Sequence, residues 1–364
     1  MRQSFLNEKT TNPMEENQHR LTQFSQGAGC GCKIDATVLK SIIGESTHGN
    51  AWPNLLVGNH TNDDAAAMLM HNGKVILSTT DFFTPVVDDP EHYGRIAAAN
   101  AMSDVYAMGG KPLMALAILG WPVDVLPTSM AARVLDGARA ICTEAGIPLA
   151  GGHSVHTKEP LFGLSVTGET DEAHLKRNNT AQPGEIIYTT KPIGTGVLCT
   201  ALKRGQLEEA FYHTLVQQME TLNSIGSSLA AISGVTSMTD ITGFGLIGHL
   251  LEMMESASVF ASVEYHQIPV MPGVLHSIGQ KMIPDATYRN WNSYNAHIHF
   301  EPGVDVMQAF NLLPDPQTNG GLLFTCKPEA TDEVEALFNK DLTQRLYPIG
   351  TVEASGNKRI RVLP

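Results

Sequence analysis

The chain has 364 residues, of which 42% are hydrophobic and 17% are charged, so we expect a globular protein with about two domains and a sizeable core. A net charge of −13 disfavours direct nucleic-acid binding, which needs basic patches, but allows an anionic substrate held through divalent cations. Five cysteines, a polar N-terminus and apolar runs too short to span a bilayer predict a cytoplasmic protein that does not bind membranes.

The first motif along the chain is a glycine-rich stretch, GAGCGCK, at residues 27–33. It carries Cys30 and Cys32, and Lys33 follows directly, where its ammonium group favours the reactive thiolate form of a nearby thiol. The alternatives are an incidental cysteine pair in a polar tail, a redox pair, or half of a zinc site. A zinc site is disfavoured because the chain has no second cysteine pair of suitable spacing.

Strands and helices alternate through the first half of the sequence, which predicts a mixed sheet with helices packed on it. We expect a short helix that begins at Asp35 and ends at Gly44, and then a strand that ends near Gly58. Beyond these we expect strands at 75–81, 113–119, 147–150 and 161–168, and helices at 94–108 and 128–146.

The polar stretch at residues 169–183 is the best candidate for a domain boundary. After it the sequence predicts a strand at 185–190, a long helix around 215–232, and a helix that opens at the glycines of 243–245. The last expected elements are a strand at 322–324, a helix around Val334 and a strand at 359–363.

Five aspartates stand in settings that suit a magnesium site. Four lie at the end of an apolar strand or in a polar turn beside one, and the fifth lies on a helix face of small residues, where aspartate is disfavoured. Carboxylates gathered from several elements can hold Mg²⁺ against phosphates, since Mg²⁺ prefers oxygen ligands. Taken alone, each is more often a turn former or a helix cap. The five are Asp63, Asp64, Asp81, Asp104 and Asp240.

Glycine clusters at 151–152, 243–245 and 320–321 could direct backbone N–H groups at phosphate oxygens. The chain has neither a Walker A sequence nor a G-x-G-x-x-G after a strand, so a nucleotide would bind through another architecture. His153, next to the first cluster, is either a catalytic group or a loop histidine that makes hydrogen bonds.

Seven motifs in this order resemble one known family: GAGCGCK, NHTNDDAA, STTDFF, NAMSDVYAMGGKP, AGGHS, MTDITGFG and DPQTNGG. They resemble the selenophosphate synthetases (selenide, water dikinases), which belong to the aminoimidazole ribonucleotide synthetase-like superfamily. The resemblance extends from about Leu21 to the C-terminus, and the Cys-Gly-Cys-Lys loop separates this family from its superfamily relatives.

The resemblance implies an α+β fold made of two α/β domains. It implies a mobile glycine-rich segment at 1–34 that carries the Cys/Lys loop, an N-terminal domain at 35–168 and a C-terminal domain at 169–364. The N-terminal domain would be a mixed sheet with helices on one face that pairs with a second copy, and the C-terminal domain an α/β sandwich.

The implied reaction is the ATP-dependent, Mg²⁺-requiring synthesis of selenophosphate from selenide and water, with release of AMP and phosphate. The implied partners are ATP, selenide and a second copy of the chain, with no nucleic acid and no membrane; a protein that delivers selenium is an alternative to free selenide. The active site would lie between the two domains.

The resemblance also implies roles for individual residues. Cys30 and Lys33 would be catalytic, and Asp64, Asp104 and Asp240 would bind the metal. The nucleotide would be contacted by Lys33, Thr61, Asn62, Asp63, Asp81, Asp104, Gly152, His153 and Ser154.

Overall fold

The structure is a computed structural model and describes residues 20–25, 42, 52–58, 63–340 and 344–364. The helix expected between Asp35 and Gly44 lies outside these residues, apart from Ile42. Within the described part of the chain, no helix combines the length and the apolar character that crossing a bilayer requires.

The N-terminal domain is built on a mixed sheet of six described strands, in the order β1-β2-β3-β6-β4-β5. Neighbouring strands are antiparallel except for β4 and β5, which are parallel. The sheet therefore has the mixed character that the alternating pattern predicts. The strands are β1 (Leu55–Val57), β2 (Ala66–Leu69), β3 (Lys74–Phe83), β4 (Lys111–Trp121), β5 (Leu149–His156) and β6 (Leu161–Asp171).

Two helices, α1 (Pro90–Ala107) and α2 (Thr128–Glu144), cover one face of this sheet. Helix α1 begins where Asp89 accepts a hydrogen bond from the backbone N–H of His92 at 2.9 Å, and a proline fills its first position. A Cβ at Gly94 of α1 would lie 1.9 Å from the carbonyl oxygen of Val134 in α2. The close approach of the two helices therefore requires glycine at this position.

Strand β5 differs from its expected form. The sequence predicts a short strand at 147–150 followed by a glycine loop, whereas β5 runs through the glycine pair to His156. The reason is parallel pairing with β4, in which Gly152 lies opposite Ala117. A Cβ at Gly152 would lie 2.2 Å from the carbonyl oxygen of Ala117, so the close approach of the two strands requires glycine at this position.

The C-terminal domain contains a second mixed sheet, of seven described strands, in the order β10-β13-β9-β12-β7-β11-β8. Its helices pack against this sheet and against α1. Strand β6 of the first sheet continues to Asp171, which is past the expected boundary at residue 168. The strands are β7 (Ile186–Thr189), β8 (Val235–Asp240), β9 (Phe260–Glu264), β10 (Ile298–Phe300), β11 (Leu322–Cys326), β12 (Tyr347–Glu353) and β13 (Ile360–Leu363).

The prediction of one long helix around 215–232 is wrong. The chain forms helix α4 (Glu209–Glu220), turns through an extended Thr221, and then forms the short helix α5 (Ile225–Leu229). The break occurs because the side chain of Asn223 donates hydrogen bonds to Ser103 Oγ at 2.8 Å and to the carbonyl oxygen of Gly320 at 2.9 Å. These partners are distant in sequence, so local periodicity does not report them.

The other helices of the C-terminal domain are mostly short. They are α3 (Thr195–Lys203), α6 (Gly245–Ser256), α7 (Val274–Gly279), α8 (Asp285–Tyr294), α9 (Val306–Leu312) and α10 (Thr331–Lys340). Helix α6 opens at the glycines of 243–245, as the sequence predicts.

An ion triad joins the two domains at the surface. Glu220 at the end of α4 accepts hydrogen bonds from His92 Nδ1 at 2.6 Å and from Arg95 Nε at 2.8 Å. The bond to Glu220 raises the pKa of His92, although partial burial opposes the shift. Burial acts to raise the pKa of Glu220, but the bonds from His92 and Arg95 outweigh it and lower the pKa.

The triad should make stability depend on pH. Because folding raises the pKa of His92 above its unfolded value of about 6.5, its contribution is complete below that pH and is lost as the pH rises through the folded pKa. We expect His92→Gln to lower the free energy of unfolding by at most about 1 kcal/mol at pH 6 and by much less at pH 8.5. Denaturant titrations measure both values.

The control for this measurement is His71→Gln, which alters an exposed histidine in a turn. An equal destabilisation by His92→Gln at both pH values would show that the imidazolium charge does not matter.

Candidate active site

Four polar side chains meet where strand β3 packs alongside helix α1. Thr79 Oγ1 donates a hydrogen bond to Asp104 Oδ2 at 2.5 Å, and Asn100 Nδ2 donates one to Asp81 Oδ2 at 2.6 Å. The spacings match, because four helical residues rise about 6 Å and two strand residues about 6.7 Å. The i, i+4 pair on the helix therefore faces the i, i+2 pair on the strand.

Asp104 is joined by two carboxylates from other parts of the chain. Oxygen atoms of Asp64, Asp104 and Asp240 lie within 4.8 Å of one another. Asp64 lies just before β2, and Asp240 is the last residue of β8 in the C-terminal domain and is 1% exposed. Thr239, next to Asp240, donates a hydrogen bond to Asp64 Oδ1 at 2.8 Å. The site thus spans both domains.

The electrostatics of this cluster favour a bound cation. Burial raises the pKa of Asp64 well above its usual range, and repulsion from Asp240 and Asp104 raises it further, while the hydrogen bond from Thr239 lowers it. Asp64 Oδ2 is buried and has no hydrogen-bond partner among the described residues. A divalent ion would satisfy that oxygen and relieve the repulsion, and three carboxylates are the ligands that Mg²⁺ prefers.

The neighbouring Asp63 points elsewhere. Its Oδ1 accepts a hydrogen bond from the backbone N–H of Asn178 at 2.8 Å, in the segment that connects the two sheets. Its Oδ2 is buried with no hydrogen-bond partner in the described part of the chain. Asp63 is therefore adjacent to the cluster in sequence, but the three-carboxylate group does not include it.

The sequence does not predict a buried hydrogen-bond network that lies behind the site. Lys191 Nζ donates hydrogen bonds to the carbonyl oxygens of Thr221 at 2.7 Å and Asn319 at 3.1 Å. The backbone N–H of Asn319 donates to Asn100 Oδ1 at 2.7 Å, and Asn100 in turn holds Asp81. Burial lowers the pKa of Lys191 to about 7, against the attraction of Asp240. Through this network, residues of the C-terminal domain orient Asp81.

One local feature of the sequence is a signal for this hydrogen-bond network. Asn319 has a φ of +46°, a left-handed conformation that asparagine tolerates better than most residues, and it precedes Gly320-Gly321. The sequence shows a turn there, but it does not show that the turn lies against helix α1.

The structure does not bring Gly152, His153 and Ser154 to the carboxylates of the same chain. They lie exposed on β5, the edge strand of the first sheet. The register runs from Asp81 to Leu164, Ala117 and Gly152, which is three strand spacings, or about 14 Å. Cys30, Lys33, Thr61 and Asn62 lie outside the described residues.

Two family models match the chain. The model described as AIR synthase related protein, N-terminal domain, matches residues 62–170, and the model described as AIR synthase related protein, C-terminal domain, matches residues 182–363. The two domains of the chain are thus those of an AIR synthase related protein.

Comparison with curated relatives identifies the family within this class. The selenide, water dikinase of Colwellia psychrerythraea is 49% identical over 94% of this chain and 98% of its own length. The enzyme of the same name from Bordetella bronchiseptica is 50% identical over 94% of this chain and 98% of its own. The chain belongs to the selenide, water dikinase family.

Solved structures with low sequence identity to this chain share its fold. Thiamine-monophosphate kinase from Stenotrophomonas maltophilia has a TM-score of 0.62 and 20% identity, and the match covers 85% of this chain and 91% of the other. The hydrogenase maturation protein HypE in complex with ATP has a TM-score of 0.62 and 17% identity, with 94% of both chains covered. The arrangement of two α+β domains is common to all three.

Proposed function

We propose that this chain is a selenide, water dikinase, which makes selenophosphate from selenide, ATP and water and releases AMP and phosphate. The observation that carries the proposal is the 49% identity to a curated relative over 94% of the chain. The acidic site at the domain interface supports it, because a triphosphate needs divalent cations before it can approach carboxylates.

Asp64, Asp104 and Asp240 would hold Mg²⁺. Their mutual repulsion fits this ion, and so does the buried Oδ2 of Asp64, which has no hydrogen-bond partner in the part of the chain that the structure describes. When bound, Mg²⁺ neutralises triphosphate charge and the charge that develops during phosphoryl transfer. The residues around it orient the ligands: Thr239 fixes Asp64, and Thr79 fixes Asp104. The bond from Thr239 involves Oδ1 of Asp64, and Oδ2 of that residue has no hydrogen-bond partner among the described residues.

The remaining roles concern nucleotide and selenium. Thr61, Asn62, Asp63 and Asp81 are proposed to contact ATP around the metal cluster, with Asp81 oriented by Asn100. Lys33 would add positive charge at the phosphates. Cys30 would hold or position selenium, since a soft selenium anion suits a sulfur partner. The selenium source is proposed to be selenide, either free or delivered by a partner protein.

A homodimer is proposed from the face of the first sheet that lies opposite α1 and that no described helix covers. The face opposite α1 carries apolar side chains that are 42–48% exposed. The strand register places them on one side, and a soluble monomer rarely exposes so many together. They are Met68, Phe82, Met114 and Leu116. A second copy would cover this face, and its exposed β5 strand would bring Gly152, His153 and Ser154 to the nucleotide site of the partner protomer.

Charge placed on this face should separate the protomers. We expect Leu116→Glu to convert the dimer to a monomer at micromolar concentration, because a buried carboxylate without a partner is strongly unfavourable. Light scattering after gel filtration gives the mass directly. Met307→Glu, on an exposed apolar residue of α9, is the matched control and should leave the mass unchanged. A wild-type monomer would contradict the proposal.

A cytoplasmic location is also proposed. Cys142, Cys199 and Cys326 are free and buried, as expected in a reducing compartment. Burial raises the pKa of the Cys142 thiol to about 11, so it stays protonated and unreactive.

Phosphorus NMR after incubation with Mg-ATP and free selenide tests the function. AMP together with a selenium-coupled phosphorus signal is the expected result. ADP without that signal would identify a kinase for another small molecule, and no turnover would identify a binding protein. A signal that appears only after a selenium-delivering protein is added would assign the donor to that partner.

A further inference from the structure

Lys191 is a buried amine to which the proposed chemistry assigns no role. It lies just after strand β7 and is 3% exposed. Its Nζ donates hydrogen bonds to two backbone carbonyl oxygens, those of Thr221 at 2.7 Å and Asn319 at 3.1 Å. Burying an amine is costly unless its hydrogen bonds are made, so these two bonds offset the cost and fix the side chain in one place.

The two carbonyl groups belong to the end of helix α4 and to the turn at residues 319–321, which precedes strand β11. Helix α4 ends at Glu220, so its last carbonyl groups lack helical partners and carry partial negative charge. The side chain of Asn319 binds the same helix end, since its Nδ2 donates to the carbonyl oxygens of Met219 at 2.6 Å and Thr221 at 2.9 Å. Lys191 and Asn319 together therefore fix the turn to the end of the helix.

Close packing also fixes the backbone conformation of this turn. Asn319 has a φ of +46°, and a Cβ at Gly321 would lie 2.5 Å from the backbone nitrogen of Lys191. The backbone N–H of Asn319 therefore has a fixed direction. It points at helix α1 of the N-terminal domain, where it donates a hydrogen bond to Asn100 Oδ1 at 2.7 Å.

That N–H sets the polarity of the Asn100 amide. A backbone N–H can only donate, so the atom of Asn100 that faces it must be the amide oxygen, and the amide nitrogen is directed elsewhere. The nitrogen donates to Asp81 Oδ2 at 2.6 Å. A reversed amide would place its oxygen against the carboxylate and repel it. The orientation of Asp81 thus depends on a donor that the C-terminal domain supplies.

We propose that Lys191 is a positioning residue that raises the affinity of the site for Mg-ATP, because it holds the turn that orients Asn100 and, through it, Asp81. This rests on the proposed function, since it takes Asp81 as a nucleotide contact. Lys191 does not belong to the three-carboxylate cluster. An interaction that stabilises bound substrate and transition state equally changes affinity and leaves kcat nearly unchanged, so the loss should fall on Kd and KM.

Lys191→Met tests this by removing the amine while keeping an unbranched side chain. We expect the Kd for Mg-ATP from calorimetry to rise at least about tenfold, while kcat at saturating Mg-ATP stays within about threefold of wild type. Lys176→Met is the matched control, because Lys176 is also buried and its Nζ donates to a backbone carbonyl oxygen, that of Val235 at 2.6 Å. Val235 is at the opposite end of β8 from Asp240, so the control should change neither quantity.

A double-mutant cycle shows whether the effect passes through Asp81. Asp81→Asn should weaken Mg-ATP binding, and the addition of Lys191→Met should then raise the Kd by less than about twofold more, because residues that act through one another are not additive. Additive effects would overturn the positioning role. So would an unchanged Kd in Lys191→Met, or a loss of kcat as large as its loss of affinity.

Asn319→Gly tests the same turn by a milder change and serves if Lys191→Met does not fold. Glycine adopts a φ of +46° readily and keeps the N–H that faces Asn100, but it loses the two bonds to the end of helix α4. The Kd for Mg-ATP should rise at least about threefold, and an unchanged Kd would contradict the inference. A wild-type protein that does not bind Mg-ATP would instead overturn the proposed function.

Discussion

Asp104→Asn is expected to reduce selenophosphate formation about 100-fold or more and, without metal, to raise the melting temperature by roughly 1–3 °C. Both effects have one cause. Burial and repulsion from Asp240 and Asp104 raise the pKa of Asp64, so removing the charge of Asp104 reduces repulsion within the metal-free cluster. The same change removes a proposed metal ligand. Thr79 can still donate to the amide oxygen.

The measurement combines turnover with thermal unfolding in the presence and absence of Mg²⁺. The wild-type melting temperature should rise with Mg²⁺, and that of Asp104→Asn should rise much less. Asp136→Asn, which changes an exposed aspartate of α2, is the control and should behave as wild type. A variant that keeps its turnover would exclude Asp104 from the metal site.

Cys30→Ser is expected to abolish selenophosphate formation and to leave Mg-ATP affinity unchanged. A serine hydroxyl is far less polarizable than a thiolate and is a poor partner for a soft selenium anion, whereas the proposed metal and nucleotide site is untouched. Calorimetry with Mg-ATP and phosphorus NMR with selenide measure the two quantities on one preparation.

Cys142→Ala removes a different thiol and should leave both quantities unchanged, since Cys142 is buried in α2 and burial raises its pKa to about 11. Full selenide-dependent turnover by Cys30→Ser would show that the thiol is not the selenium-handling group.

Local patterns predicted the elements whose own residues carry the signal. Strand β3 is expected because an apolar run follows a turn at residues 71–73. Helix α1 is expected because Ala98, Met102 and Val105 form an apolar stripe that ends at Gly109-Gly110. Elements decided by distant contacts were missed. Asn223 breaks the expected long helix through bonds to Ser103 and Gly320, and pairing with β4 turns the expected glycine loop of β5 into a strand.

The same distinction applies to the residues of the candidate site. The resemblance implied Asp64, Asp104 and Asp240 as metal ligands, and the structure places their oxygens within 4.8 Å of one another. Lys191 and Asn319 were not expected, because their role depends on contacts between domains that no local pattern encodes. The roles of the other site residues stay predictions.

The buried polar residues of helix α1 also constrain how the protein is made. Asn100 is 0% exposed and bonds to Asn319, which is 219 residues later in the chain, and Ser103, also 0% exposed, bonds to Asn223, which is 120 residues later. A ribosome adds about 5–20 residues per second, so these groups wait several seconds or longer for their partners. Helix α1 therefore reaches its final packing only after most of the chain has been synthesised.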